Sequence, residues 1–516
     1  MKPESFDEYA KLRSQFEETA AYWKHQRDSQ DYQPANKPFD LDNTQPKNEQ
    51  ILGNDPIVLK DIQGNKTTLS AFLRTLLQPA IKAATLQASY TASKEAVERL
   101  QRLDIFEGVK MGLQPHRESS SSSSSPSSPS PSEDDNNNNN NNNNSSSNNV
   151  DMDLSLVVKE KKRLVFATGT AVDQHGVHLR GGLSVKNVFG GAEKLDLDMH
   201  LGGRASGPKA VFSKPVWSPD RILSFEIFRQ TLNNMDRSSY EEDQQGTAIR
   251  YQARYGHTVH EVSYETTERD VCRLSKNASY LIRAQRGPGS KRALVHRWTL
   301  DTRDHVIAPT RGHLFRLCQE LAGFSKRGSP RDAVFIKHEV ESWSIAQLGA
   351  GIYLTNSFQA GYLKTLNGNP SNICDRFFLG SPISIRGIGP NDIGSLDQGD
   401  ALGGDAYIAA GVNLWTQLPT QVLSSSSTSS SNSNVKANVF SSVGAMTRVF
   451  PGQSMASTIQ ELSLTPTVAV GAGIAYFQPW GRLECNYTVP LVVGGAATRA
   501  DLGRGKWQFG FGIDLL

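Results

Sequence analysis

One arginine is set apart by its neighbours. Arg386 lies in the run Arg376-Phe377-Phe378-Leu379-Gly380-Ser381-Pro382-Ile383-Ser384-Ile385-Arg386-Gly387-Ile388-Gly389-Pro390, and Leu402-Gly403-Gly404-Asp405-Ala406-Tyr407 opens the next strand-like segment. A guanidinium is a planar fork of donors that several acceptors can hold, and the glycine after it permits a tight turn. By itself an Arg-Gly pair is an ordinary turn; the flanking run is what sets this one apart. A second polar cluster, Asp301-Thr302-Arg303-Asp304, precedes Pro309-Thr310-Arg311-Gly312 and marks a strand end where the chain turns. Bond-making chemistry finds no support. The 11 histidines fall into no metal spacing, and Cys272, Cys318, Cys374 and Cys485 lie far apart without a CxxC. Neither a GxSxG elbow nor a P-loop occurs, so no enzyme, metal or cofactor is expected.

The elements that must carry Arg386 are strands. From about Arg163 the chain alternates: Leu195, Leu197, Met199 and Leu201 are interleaved with Lys194, Asp196, Asp198 and His200. Leu483, Cys485, Tyr487 and Val489 alternate with Arg482, Glu484, Asn486 and Thr488. The last residues set Trp507, Phe509, Phe511, Ile513 and Leu515 against Gln508, Gly510, Gly512 and Asp514. A soluble sheet with one wet face and a membrane barrel with a polar lumen both produce this pattern. The charged inner faces and the aromatic Trp507 near a strand end favour the barrel. His296 and Arg297 then read as lumen polarity. At roughly 20–24 residues per strand and connection, 161–516 holds about 15 to 18 strands.

Ahead of the barrel, 1–52 reads as a flexible polar arm and 53–160 as a small α+β module. Ile57-Val58-Leu59 is strand-like. Thr67 or Thr68 is placed to cap a helix through Leu69, Phe72, Leu73, Leu76 and Leu77, and Pro79 to kink or end it. A second helix is expected from about Ser93. The Ser- and Asn-rich tract at about 115–150 interrupts the hairpin between VKMGL and Asp151–Val158, and a second tract at about 424–434 is a barrel loop. With 55 basic and 52 acidic residues the net charge is +3, too balanced for a dedicated nucleic-acid binder. No apolar run approaches about 18 residues, so no membrane helix is expected despite the barrel. The charged start is unlike a secretory signal, and its acids are unlike a cleaved mitochondrial presequence.

The Arg-Gly run, LGGDAY, the Asp-Arg-Asp cluster and the terminal strand together resemble the bacterial surface antigen superfamily, which includes the bacterial BamA assembly factors. Within it the chain is most similar to the core barrel subunits of the mitochondrial sorting and assembly machinery. The resemblance implies a mainly β fold, a transmembrane antiparallel barrel of about 16 strands, preceded by one POTRA (polypeptide-transport-associated) domain. It implies that Ile385, Arg386, Gly387 and Ile388 form a loop tip pinned to the lumen wall. The wall partners in bacterial relatives are acidic; here Asn413 and Ser442 take those positions, with Glu484 the alternative. It also implies a lateral gate between the first and last barrel strands, involving Thr168, Gly169, Gln508, Gly510, Gly512, Ile513 and Leu515. The chain's own end fits the family's β-signal, with Gln508, Gly510, Ile513 and Leu515 at its polar, glycine and two hydrophobic places. The implied function is insertion of β-barrel precursors into the mitochondrial outer membrane, with the N-terminus in the intermembrane space. Implied partners are the precursors, accessory subunits of the machinery and outer-membrane lipid, without nucleic acid. A passive porin and a plastid-envelope assembly pore are the alternatives.

Overall fold

The computed structural model describes residues 57–83, 85–115, 152–173, 176–216, 218–306, 308–324, 329, 331–349, 351–380, 385–418, 435–478, 481–494 and 503–512. The expected arm over 1–52 and most of both low-complexity tracts lie outside them.

The N-terminal module runs β1 (Ile57–Gln63), α1 (Ser70–Ile81), α2 (Leu86–Arg102), β2 (Phe106–Pro115) and β3 (Met152–Glu160). The central β3 pairs parallel with β1 and antiparallel with β2. The apolar faces of both helices, Leu73, Leu76 and Leu77 with Ala96 and Leu100, close over Ile105, Phe106, Leu156 and Val158. Neither Thr67 nor Thr68 caps α1. Its N-cap is Leu69, and both hydroxyls and both backbone amides of the threonine pair donate to the Glu160 carboxylate at 2.6–3.1 Å. Burial pushes that carboxyl's pKa up, but these donors outweigh it and bring it down to about 2. Helix α2 begins well before Ser93. Thr85 accepts from the Ala88 amide to cap it, and the buried Ser89 hydroxyl donates to Ala80 O at 3.1 Å, tying the first turn to α1. Pro79 lies inside α1, which ends two residues later.

Sixteen strands form one antiparallel sheet. The first eight are β4 (Leu164–Asp173), β5 (Gly176–Lys186), β6 (Lys194–Gly202), β7 (Ala205–Val216), β8 (Ser218–Asn234), β9 (Tyr240–Tyr255), β10 (Thr258–Leu274) and β11 (Gly287–Asp301). Next come β12 (Gly312–Ala322), β13 (Phe335–Gly349) and β14 (Ile352–Thr365). A long connection carrying a small hairpin, β15 (Leu396–Asp397) and β16 (Asp400–Ala401), leads to β17 (Ala406–Gln417). The sheet ends with β18 (Val435–Thr447), β19 (Thr467–Gln478), β20 (Gly481–Val492) and β21 (Lys506–Gly512). Its order leaves β4 and β21 at the two ends, and among the described residues no ladder joins them.

Alternation sorts the two faces as expected of a barrel. Leu197, Met199 and Leu201 are exposed outward, while Lys209, Glu226, Arg250, Glu261 and Arg297 form a charged network on the inner wall. His296 departs from the expected lumen polarity. Its register partners Val262 and Gln319 lie on the outward face, so only Arg297 of that pair points inward. Adjacent residues of a strand face opposite ways, and Leu294 and Trp298 fix the outward set.

The N-terminal module meets one rim of this wall. The Leu69 amide donates to Gly190 O at 2.9 Å, Asn187 donates to Thr68 Oγ1 at 2.9 Å, and Arg102 pairs with Asp220 at 3.1 Å. Strict antiparallel alternation from there puts the 366–405 connection at the opposite, far rim.

Candidate functional site

From the far rim the 366–405 connection folds back into the lumen. Its Phe377, Leu379, Ile385, Ile388 and Ile393 pack against inward wall residues that include Val295, Phe335, Leu363 and Met446. Its root is held by charge. Arg269 on β10 forks onto Asp375 at 2.6 and 3.0 Å, and Lys337 on β13 donates to Asp375 O at 3.0 Å. Arg376 donates to Ser371 Oγ at 2.8 Å and to Leu402 O at 3.0 Å.

The tip is the Arg-Gly pair. Alternation on β20 turns Arg482, Glu484, Asn486 and Thr488 inward, all buried. Arg386 meets Glu484 through both arms of its fork, Nε to Oε2 at 3.1 Å and Nη2 to Oε1 at 3.2 Å. The same carboxylate takes Arg482 Nε at 2.7 Å and the Asn486 amide at 2.9 Å. One buried carboxylate therefore serves two guanidiniums, and charge-assisted bidentate bonds of this kind are the stronger class. The Phe440 ring stacks at 5.1 Å from the Arg386 guanidinium. Gly387 has φ +89, and a Cβ there would sit 3.1–3.2 Å from the side chains of Thr488 and Ala469. The turn and the close approach both require glycine.

A neutral bond to Asn413 does not form. Asn413 is the register partner of Phe440, whose ring takes the place beside the guanidinium, and its buried Oδ1 has no hydrogen-bond partner. Ser442 reaches the tip only weakly, donating to Arg386 O at 3.5 Å. Of the three partners weighed from sequence, Glu484 holds the side chain.

Gln508 on β21 joins the same site. Its Oε1 accepts from the Gly387 amide at 2.8 Å and its Nε2 donates to Ile388 O at 3.3 Å. The sequence places Gln508 at the lateral gate and in the β-signal, not at the loop tip. Gly510 and Gly512 pair with Glu484 and Arg482 on β20, while Ile513 and Leu515 lie outside the described residues. The Asp301–Asp304 cluster is not part of the site: Arg303 pairs with Asp301 at 2.8 Å and Asp304 accepts from the Thr310 amide at 2.9 Å, closing a turn at the module rim. At the other end of the sheet, among the described residues, Thr168 and Gly169 pair only with Gly181 and Arg180 of β5, and a Cβ on Gly169 would meet nothing within 4 Å. The arrangement can pin a loop and leave an edge available; among the described residues it gathers no metal-binding cluster.

The model of the Omp85 superfamily domain matches residues 187–515. The chain belongs to the Omp85 superfamily. A SAM50-like protein of Schizosaccharomyces pombe is 32% identical over 364 residues, covering 70% of this chain and 74% of that one. The human sorting and assembly machinery component 50 homolog is 32% identical over 361 residues, with the same coverage of each chain. Among solved structures, BamA from Haemophilus ducreyi lacking POTRA domains 1–3 superposes with a TM-score of 0.67 at 15% identity, covering 90% of this chain and 85% of that one. The Omp85 barrel fold expected from the Arg-Gly run and the terminal strand is thus the fold observed.

Proposed function

We propose that this chain, an outer-membrane β-barrel of the assembly and insertion class, receives β-barrel precursors at the seam between β4 and β21. The precursor's C-terminal β-signal would pair with the free edge of β4, as an extended segment adds to an exposed sheet edge. Pairing and lipid burial drive the step, without catalysis or cofactor, because an unpaired edge in lipid leaves backbone groups unsatisfied. The observation that carries this reading is the unequal hold on the two edges: Gln508 ties β21 to the loop tip, whereas β4 has ladder partners on β5 alone among the described residues. The relatives named for the sorting and assembly machinery support a mitochondrial outer-membrane location. The N-terminal module is then the family's single POTRA domain, in the intermembrane space, and accessory subunits act with the barrel. A passive porin fits poorly with a lumen entered by a connection whose tip is pinned to the wall through Arg386 and Glu484.

The test is a disulfide between Gly169→Cys and Gly512→Cys, both on the inner face, in isolated mitochondria. Oxidation should stop imported barrel precursors from reaching the membrane, and reduction should restore insertion. Normal insertion with the seam locked would overturn the gate. Arg386→Ala should slow insertion of the same precursors; a change in ion conductance alone would favour a porin.

A further inference from the structure

The connection between β18 and β19 forms α5 (Met455–Leu464), following two short helical turns, α3 (Met235–Ser238) and α4 (Tyr280–Arg283), in earlier connections. Alternation puts α5 at the far rim. It lies outside the barrel: Leu462 packs with Ala406 and Ala445, and with Tyr362 and Ile408, which are register neighbours on the outward face of β14, β17 and β18. On a wheel of about 100° per residue, Met455 and Ile459 fall roughly 20° and 60° to one side of Leu462, and Glu461 falls about 100° to the other. Glu461 is the helix's one charged residue. It is turned to the rim, where it accepts from Thr447 Oγ1 at 2.6 Å and from Gln453 Nε2 at 3.1 Å. Thr447 ends β18 and Ala445 lies one outward step further in, so the flank opposite Glu461 faces down the wall, away from the rim. That flank carries Met455 and Ile459, which are 58% and 52% exposed. Just before the helix, Phe450 is exposed and Arg448 lies over its ring at 5.9 Å.

We propose that α5 is a membrane-interface foot whose apolar flank rests in the phospholipid monolayer bordering the far rim. The surface below it is continuous with the outward apolar wall, which hydrocarbon covers. A helix with its charge tied to the protein and its apolar flank turned down that wall meets lipid first. The foot braces β17 and β18, the strands whose ends also hold the root of the lumen loop: Asp405 accepts from the Val449 amide at 3.1 Å, and its own amide donates to Thr447 O at 2.9 Å.

The test places a cysteine on each flank of the full-length protein in phosphatidylcholine–phosphatidylethanolamine vesicles, with labelling by a membrane-impermeant maleimide corrected for the native cysteines. Gln460 points about 160° from Leu462, away from the wall. Ile459→Cys should label about tenfold more slowly than Gln460→Cys, and detergent should narrow the gap. As a second measurement, brominated acyl chains should quench added fluorescence from Ile459→Trp and not from Gln460→Trp. Equal labelling and equal quenching in vesicles would overturn the proposal. So would protection of position 459 that arises only in native membranes, which would assign the flank to a protein partner.

Discussion

The two ends of the barrel sheet face lipid alike and face the lumen differently. Outward, Phe166 on β4 is 72% exposed and Trp507 on β21 is 66% exposed. Inward, Gln508 and Gly510 of β21 are half-buried, with the Gln508 amide bonded to both sides of the loop tip. Val165, Ala167 and Gly169 of β4 are exposed on that face as well. An edge tied to a lumen loop that is itself tied to the wall keeps its register. An edge held only through its ladder with one neighbour is the one that can accept a new strand. The comparison assigns β21 the part of fixed edge and β4 that of the receiving edge in the proposed cycle.

The largest effect that would break this comparison comes from the shared carboxylate. Glu484→Ala leaves the buried Arg386 and Arg482 without their acceptor, and removing one partner of a buried pair costs about 3–5 kcal/mol. Arg386→Ala should cost less, because Glu484 keeps Arg482 and Asn486. Urea unfolding of the detergent-solubilised barrel, followed by loss of its compact gel mobility, measures both. Equal losses would mean that Arg482 takes no support from Glu484. Next in size is Gly387→Ala, which forces an alanine to φ +89 at about 1–2 kcal/mol and presses on Thr488 and Ala469. Hydrogen exchange should quicken across Lys506–Gly512 and stay unchanged at Leu164–Gly169. Equal change at both edges would dissolve the distinction between them.

How much of this arrangement was legible in the sequence follows from how local each feature is. The alternating residues of β6, β20 and β21 state their facing directly, because period 2 is a property of neighbours, and length bounded the strand total at about 15 to 18. The same period could have separated His296 from Arg297, since Leu294, Trp298 and Leu300 mark the outward set. The partner of Arg386 was not local. Glu484 stands 98 positions away, and only the register of β17 to β20 decides that Phe440 screens Asn413 while Glu484 faces the guanidinium. Gln508 carried a signal, a polar residue on the inner face of the last strand, but its bond to the loop depends on how deeply the tip descends. Helix α5 was not anticipated, although Met455, Ile459 and Leu462 stand at helical spacing: it is short, and the outer wall completes its apolar face.

The N-terminal module offers a milder way to sharpen the comparison, because its contact with the turn between β5 and β6 lies beside the receiving edge. Glu160 has a pKa of about 2 against an ordinary 4.5, so its contribution is complete above pH 4.5 and is lost as pH falls toward 2. Protease cleavage within the module should therefore rise as pH drops from about 5 to 3 with an acid-stable protease. Glu160→Gln should flatten that dependence at the cost of a weaker contact at neutral pH. A wild-type profile as flat as that of Glu160→Gln would detach the module from the argument.

The smallest effect tests the receiving edge itself. Gly169 lies on the inner face of β4, and a Cβ added there meets nothing within 4 Å, which leaves room to begin the side chain of Gly169→Thr. It should stiffen the strand by roughly 0.5–1 kcal/mol, the usual disadvantage of a glycine inside a strand. A stiffer edge holds whatever pairs with it longer. Precursor release should slow by at most about fivefold, the factor that roughly 1 kcal/mol allows, while urea stability stays nearly constant. Single-turnover insertion of a purified precursor into vesicles reads that rate. The matching change on the fixed side, Gly510→Thr, places a side chain opposite Glu484 and should cost stability with no gain in retention. If the two substitutions behaved alike, either both edges receive substrate or neither does, and the difference in their inner faces would have no bearing on insertion.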